Sequence, residues 1–177
     1  IRSCNQVIDL AGDNEEYAKY RGIAKAYRAM LYLDLARLFD PLYAEVDINA
    51  ETYEQGCIDA QGLTVPIVTE DTTEKIAKDN DRATREEMFN FIFADLAFAE
   101  EALADYTSTS ITNPDLSVVY GLYARAYLWL GGFEDGFSGE LPEGNAAYAR
   151  AAEYARKAID AHGGAVMNEN EWTSITN

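Results

Sequence analysis

Apolar residues return at steps of three and four along most of this chain, the spacing of helices rather than strands. After the break at AGDN, residues 15–39 read as one long helix that Pro41 stops, with Gly22 as its weakest point. Within it, AKAYRAMLYLDLARLF (24–39) scatters Lys25, Arg28, Asp34 and Arg37 around the axis at about 100° per residue, so apolar and tyrosyl side chains face almost all round. Asp34 and Arg37, three apart, are expected to pair locally. A second helix opens at TREE, where Thr84 and Glu87 have capping-box spacing, and continues through Phe89, Ile92, Leu96, Ala99 and Leu103. A third starts at NPD, with Asn113 as cap and Pro114 in the first turn. It carries Leu116, Val119, Tyr123, Ala126, Tyr127 and Leu130 to Gly131-Gly132. The fourth bears Tyr148, Ala152, Ala155 and Ile159 and ends at His162 before Gly163-Gly164. The opening IRSCNQVIDL reads as the end of a further helix.

Between the first two long helices, residues 41–83 form an irregular excursion in which only LTVPIVT looks extended, confined by Pro66 to an edge or a bulge. The expected fold is therefore all-α: tetratricopeptide-like antiparallel helix pairs with long loop excursions, all of 1–177 in a single domain. LYARAYLWLGGF and YARAAEYARKAID supply the small and aromatic residues of one such unit, although GGFEDGFSGELPEGN is a long insertion for its turn. An inner helix of a stack touches neighbours on two or three sides, which accounts for the all-round apolar surface of residues 24–39.

Charge changes the picture of partners. Fourteen lysines and arginines against 31 acidic residues leave a net charge of −17, which opposes binding to nucleic acid or an anionic membrane face. A chain of 177 residues can bury roughly 70% of its unfolded surface, so a core forms without staples. Its two cysteines, Cys4 and Cys57, have no metal-ligand spacing; a single long-range disulfide between them stays open. No apolar run reaches the roughly 18 residues of a membrane span.

Candidate chemistry is sparse. Glu86-Glu87 and Glu100-Glu101 read as solvated helix charges rather than an acid–base pair, and His162 reads as a helix-end dipole partner. DNDRATREE lacks the order of an EF-hand loop, and no HExxH, GxSxG or P-loop is present. We expect no enzyme activity, no metal and no cofactor. Twelve tyrosines, seven phenylalanines and two tryptophans are mostly assigned to packing: Tyr27, Tyr32, Phe89, Tyr123, Tyr127 and Trp129 fall at helical positions. Trp172 either caps the last helix or hangs free. Loop aromatics on a rigid scaffold are a commoner route to function. Tyr43 and Tyr53 flank AEVDINAE, placing stacking faces beside the hydrogen-bonding groups of Asp47 and Asn49, and these four are the candidate ligand-binding residues. Phe133 and Phe137 are the alternative; for either set, the competing reading is that the rings fold back on their own loop or face a partner.

Three blocks carry a family resemblance: RGIAKAYRAMLYLDLARLF (21–39), preceded by an asparagine at Asn5; GLTVPIVTEDTTEKIAKDNDRATREEMFNFIFADLAFAEEAL (62–103), with VPIVT, RATREE and IFADL; and GLYARAYLWLGGF with YARAAEYARKAID. In this order and spacing they resemble the SusD/RagB-like nutrient-binding lipoproteins of the Bacteroidota outer membrane. The resemblance implies a non-catalytic surface protein that captures oligosaccharides and sits as a lid on a TonB-dependent, SusC-like transporter. It also implies a longer protein, with a lipid-bearing cysteine and a C-terminal half outside this sequence; Cys4, inside a helix, is not that lipid site. The competing function is a tetratricopeptide-type scaffold that binds a protein or peptide in its groove.

Overall fold

The computed structural model describes residues 1–40, 42, 60–110, 112–133, 139, 141–164 and 169–174, and their regular structure is helical apart from one antiparallel bridge, Leu63 to Thr84. The elements are α1 (Arg2–Ala11), a 3-10 turn (Glu15–Tyr17), α2 (Ala18–Phe39), the short α3 (Glu74–Ala77), α4 (Arg85–Ala102), α5 (Leu116–Leu130), α6 (Gly144–His162) and α7 (Glu169–Ser174). The side chain of Trp172 lies outside the described residues, as does Cys57, while Cys4 carries a free, half-buried thiol.

Two helix pairs make the body, α2 against α4 and α5 against α6, with α1 laid on α2 and α4 joining the pairs. The expected 15–39 helix divides at its start: Asn14 accepts from the Glu16 N–H and holds a 3-10 turn before α2 begins. Thereafter α2 is the inner helix, with Ala24, Ala26, Ala29, Tyr32, Leu33 and Ala36 all buried; Leu38 and Phe39 at its end are exposed. Gly22 is no weak point. A Cβ there would sit 2.8 Å from the Ala102 Cβ, so the glycine lets α2 and α4 approach.

The capping box of α4 forms as its spacing predicts: Thr84 Oγ1 accepts from the Glu87 N–H at 3.2 Å and the Glu87 carboxylate accepts from the Thr84 N–H at 2.8 Å. Three expectations are corrected. Asp115, not Asn113, caps α5, accepting from the N–H groups of Ser117 and Val118, because its carboxylate stands one residue before the helix. Gly131 ends α5 in a right-handed conformation, so its role is not a left-handed cap; a Cβ there would collide with the Tyr148 ring of α6. The phase of α6 is shifted: Ala147 and Ala151 are buried with Tyr154 and Ala158 half-buried behind them, whereas Tyr148, Ala152, Ala155 and Ile159 are exposed. At the other end, Gly163 adopts φ 67° as the expected cap.

Asp34 does not pair with Arg37. Its carboxylate reaches Arg125 of α5 at 2.8 Å, while the Arg37 guanidinium lies over the Trp129 ring. The adjoining helix offers better geometry than the i,i+3 neighbour does. Where the chain returns as LTVPIVT it runs extended beside Ala83 and Thr84, bonded by Thr64 N–H to Ala83 O (2.8 Å) and Ala83 N–H to Val65 O (3.3 Å).

Candidate functional site

Apart from Leu42, residues 41–59, with Tyr43, Asp47, Asn49 and Tyr53, lie outside the described residues, as does Phe137. The two feet of this excursion are described, and both are fixed by the same pair of arginines. Asp40 ends α2 and is buried. Its carboxylate accepts from Arg85 Nε at 2.5 Å and Nη2 at 2.9 Å, a bidentate pair, and also from the Gly62 N–H at 3.0 Å. The Arg85 N–H donates to Gly62 O at 2.7 Å, and Gly62 stands at φ 77°, where a side chain would be strained. Arg82 reaches the same place, donating to Thr64 O at 2.6 Å, Leu63 O at 2.5 Å and Phe39 O at 3.4 Å. The backbone leaving α2 and the backbone returning at residues 62–64 are thus tied to one short stretch, 82–85.

The second loop springs from the same base. The Arg85 guanidinium lies 3.6 Å from the centroid of the Phe133 ring, which also meets Trp129 edge-on. Leu42 packs so closely on Gly132 that a Cβ there would come within 2.5 Å of it, and Gly139 lies against the Glu86 carboxylate at the start of α4. Both loops that carry the sequence-predicted aromatics therefore depart from the N-terminal end of α4. Phe133 itself is only 2% exposed, covered by Arg85. It is part of the base and not a ligand contact, which corrects one half of the alternative expectation.

Sequence reasoning missed a second arginine centre. Arg28 is 1% exposed in the interior. Its Nε and Nη2 donate to the two Asp95 oxygens at 2.7 and 2.9 Å, and Nη1 donates to Asn5 Oδ1 (2.9 Å) and Glu70 (2.5 Å). Lys25 adds a third cationic contact to Asp95 at 3.0 Å. Burial alone would depress the guanidinium's pKa, but hydrogen bonds and charge from Asp95 and then Glu70 outweigh it, and the net shift is upward. For Glu70 burial opposes ionisation, yet a backbone hydrogen bond and Arg28 prevail and hold its pKa low. Asn5 Nδ2 and the Tyr32 hydroxyl both donate to Val68 O (2.9 and 3.1 Å), and the Val68 N–H donates back to Tyr32 (2.7 Å). The centre fastens α1, α2, α4 and the extended 63–70 segment. The available signal was a charged residue inside each of two core-type helices, Arg28 in AKAYRAML and Asp95 in FIFADLAF.

Of the helical aromatics, Tyr32, Phe89, Tyr123, Tyr127 and Trp129 pack as assigned, whereas Tyr27 is half-buried and stands apart from the core. Phe93 and Tyr127 stack at 4.6 Å, Tyr123 and Tyr154 at 4.4 Å, and Lys157 lies over Tyr154 at 4.4 Å. Burial, then the Glu100 charge, pushes the Tyr123 hydroxyl's pKa up. Glu87 is shifted down by its hydrogen bonds from Thr84, the wrong direction for a general acid at neutral pH. Among the described residues no group of three or more His, Cys, Asp or Glu side chains is placed to hold a metal.

A sequence model of the SusD-like family, described as "Starch-binding associating with outer membrane", matches residues 1–128. No curated protein sequence matches the chain. Among solved structures, the SusD-like carbohydrate binding protein from Bacteroides vulgatus ATCC 8482 superimposes with a TM-score of 0.61 at 25% identity, over 95% of this chain and 30% of its own. The present chain thus spans less than a third of that protein's length. The α2–α4 pair, the Arg28 centre within the RGIAKAYRAML block and the RATREE cap all lie within residues 1–128, and the chain belongs to the SusD-like family.

Proposed function

We propose that the intact protein is a non-catalytic glycan-binding protein of the outer-membrane surface, lipid-anchored, which passes oligosaccharides to a TonB-dependent, SusC-like transporter during nutrient uptake. Tyr43 and Tyr53 stack on the sugar, and Asp47 and Asn49 take its hydroxyls. The observation that carries the reading is the clamp of Arg82 and Arg85. In a family described as starch-binding, it holds the feet of two aromatic-bearing loops at one rigid base. Rigid feet lower the ordering cost of loop contacts to a ligand. Affinity electrophoresis of the intact protein through gels containing soluble starch, xylan or galactomannan tests it. Retention on at least one of them, weakened by Tyr43→Ala, supports the site; unchanged retention places the site elsewhere. Co-purification with the barrel encoded beside it tests the transporter partnership.

A further inference from the structure

One stripe of α2 is left open at the opposite end from the loop base. Tyr20, Ile23 and Tyr27 follow at steps of three and four and so share a face. They floor a cavity of about 600 Å³ whose walls are α1 on one side and Tyr106, Thr109 and Asn113 of the α4–α5 connection on the other. Tyr20 is 50% exposed, and the Tyr27 hydroxyl donates to Thr112 O, tying floor to wall. Ile23 lies 16 residues before Phe39, so the groove is about 24 Å along the helix from the loop base. The volume is that of a small-ligand site.

Its chemistry selects among ligands. Three tyrosines offer rings to the C–H face of a pyranose, and an amide and a hydroxyl stand at the wall to meet its hydroxyl groups. Lys19 brings the only full charge among the lining residues, with its ammonium 4.9 Å over the Tyr20 ring at the surface. A net charge of −17 repels uronic or sulfated sugars. We propose that this groove is a second carbohydrate site, binding a short neutral oligosaccharide by stacking on Tyr20 and Tyr106 and hydrogen bonding to Thr109 and Asn113. The proposal rests on the glycan-binding reading above and adds a site to it.

The experiment uses the intact protein on the same starch, xylan and galactomannan gels, with Tyr20→Ala, Asn113→Ala, Tyr20→Trp and Tyr43→Ala. Cys4 lines the groove, so its alkylation by iodoacetamide, followed on the Cys4 peptide by mass spectrometry, reports occupancy directly. Expected are several-fold weaker retention for Tyr20→Ala and Asn113→Ala and preserved retention for Tyr20→Trp. Oligomers of the retaining polysaccharide should slow Cys4 alkylation in the wild type and in Tyr43→Ala alike. Retention that responds only to Tyr43→Ala, with Cys4 alkylation unchanged, overturns the groove site and leaves the glycan-binding reading standing. No retention of the wild type on any of the three polysaccharides overturns both.

Discussion

Replacing Arg28 with methionine decides whether this arginine holds the fold together or meets a ligand. The change keeps most of the side chain's length and removes its charge. Asp95, 2% exposed at its side chain, would lose two of its hydrogen bonds and, among the described residues, retain only Lys25 at 3.0 Å. Asn5 and Glu70 would lose a donor each. Breaking a buried ion pair from one side costs about 3–5 kcal/mol, because the remaining charge stays desolvated. Lys25 places the expected value toward the lower part of that range. With a urea m-value of about 2 kcal/mol per M, the unfolding midpoint should fall by about 1.5–2 M.

The comparison that isolates the pair is a cycle with Asp95→Asn. Arg28→Met and Asp95→Asn share one interaction, so the double variant should lose less than the sum of the singles, by about 1–3 kcal/mol. Arg28→Lys guards against a methionine variant too unstable to purify. It keeps a charge without the planar fork that meets both Asp95 oxygens, and should fall between wild type and Arg28→Met. The assay is equilibrium urea unfolding followed by far-UV circular dichroism. An unchanged midpoint for Arg28→Met, or fully additive singles, would refute the structural role.

Three further outcomes are expected. Gly22→Ala should lower stability by about 1–3 kcal/mol from overpacking against Ala102, less the roughly 1 kcal/mol that alanine gains in helix propensity, so a thermal melt above wild type would contradict the close approach of α2 and α4. Tyr32→Phe should cost about 1–3 kcal/mol, because it leaves the Val68 N–H without its hydroxyl partner; an unchanged urea midpoint would show that water replaces the bond. The Tyr123 hydroxyl is held above its ordinary pKa by burial first and by Glu100 next, so its folded value exceeds its unfolded value. Its contribution is therefore fully present below about pH 10 and is lost as the pH rises through the folded value. Titration of tyrosinate absorbance at 295 nm should show a late-ionising component that Glu100→Gln shifts down.

Periodicity made the helices legible because each long one is amphipathic or packed at steps of three and four, and the Thr84–Glu87 spacing located one boundary to the residue. The caps that failed did so for local reasons: Asp115 competes with Asn113 for the same turn, and its carboxylate is the better acceptor for two N–H groups. Glycines were the hardest to read. Gly22, Gly131 and Gly132 look like breaks in one dimension, but each serves a close contact with a residue distant in sequence: Ala102, Tyr148 and Leu42. Asp34 likewise had a plausible neighbour in sequence and found a partner in another helix. The two aromatic-bearing loops could be picked out from the sequence; that their feet share one base could not, because Asp40 and Arg85 stand 45 residues apart.

That shared base separates stability from recognition. Arg28, Arg82 and Arg85 direct hydrogen bonds to Asp95, Asn5, Glu70, Asp40 and backbone carbonyls, so these residues of the family-resembling blocks help hold the frame. A loop whose ends are already fixed can change length at little expense, since doubling a flexible loop costs only about 0.6 kcal/mol in closure entropy. The interaction of Arg85 with Asp40 is buried and bidentate, which puts it well above that figure in what its loss would cost. Sequence in the 41–59 and 134–138 segments can therefore vary while the helices beneath stay as they are. The same reasoning explains why the Arg28 position says little about any ligand: its Nε, Nη1 and Nη2 all donate inside the frame.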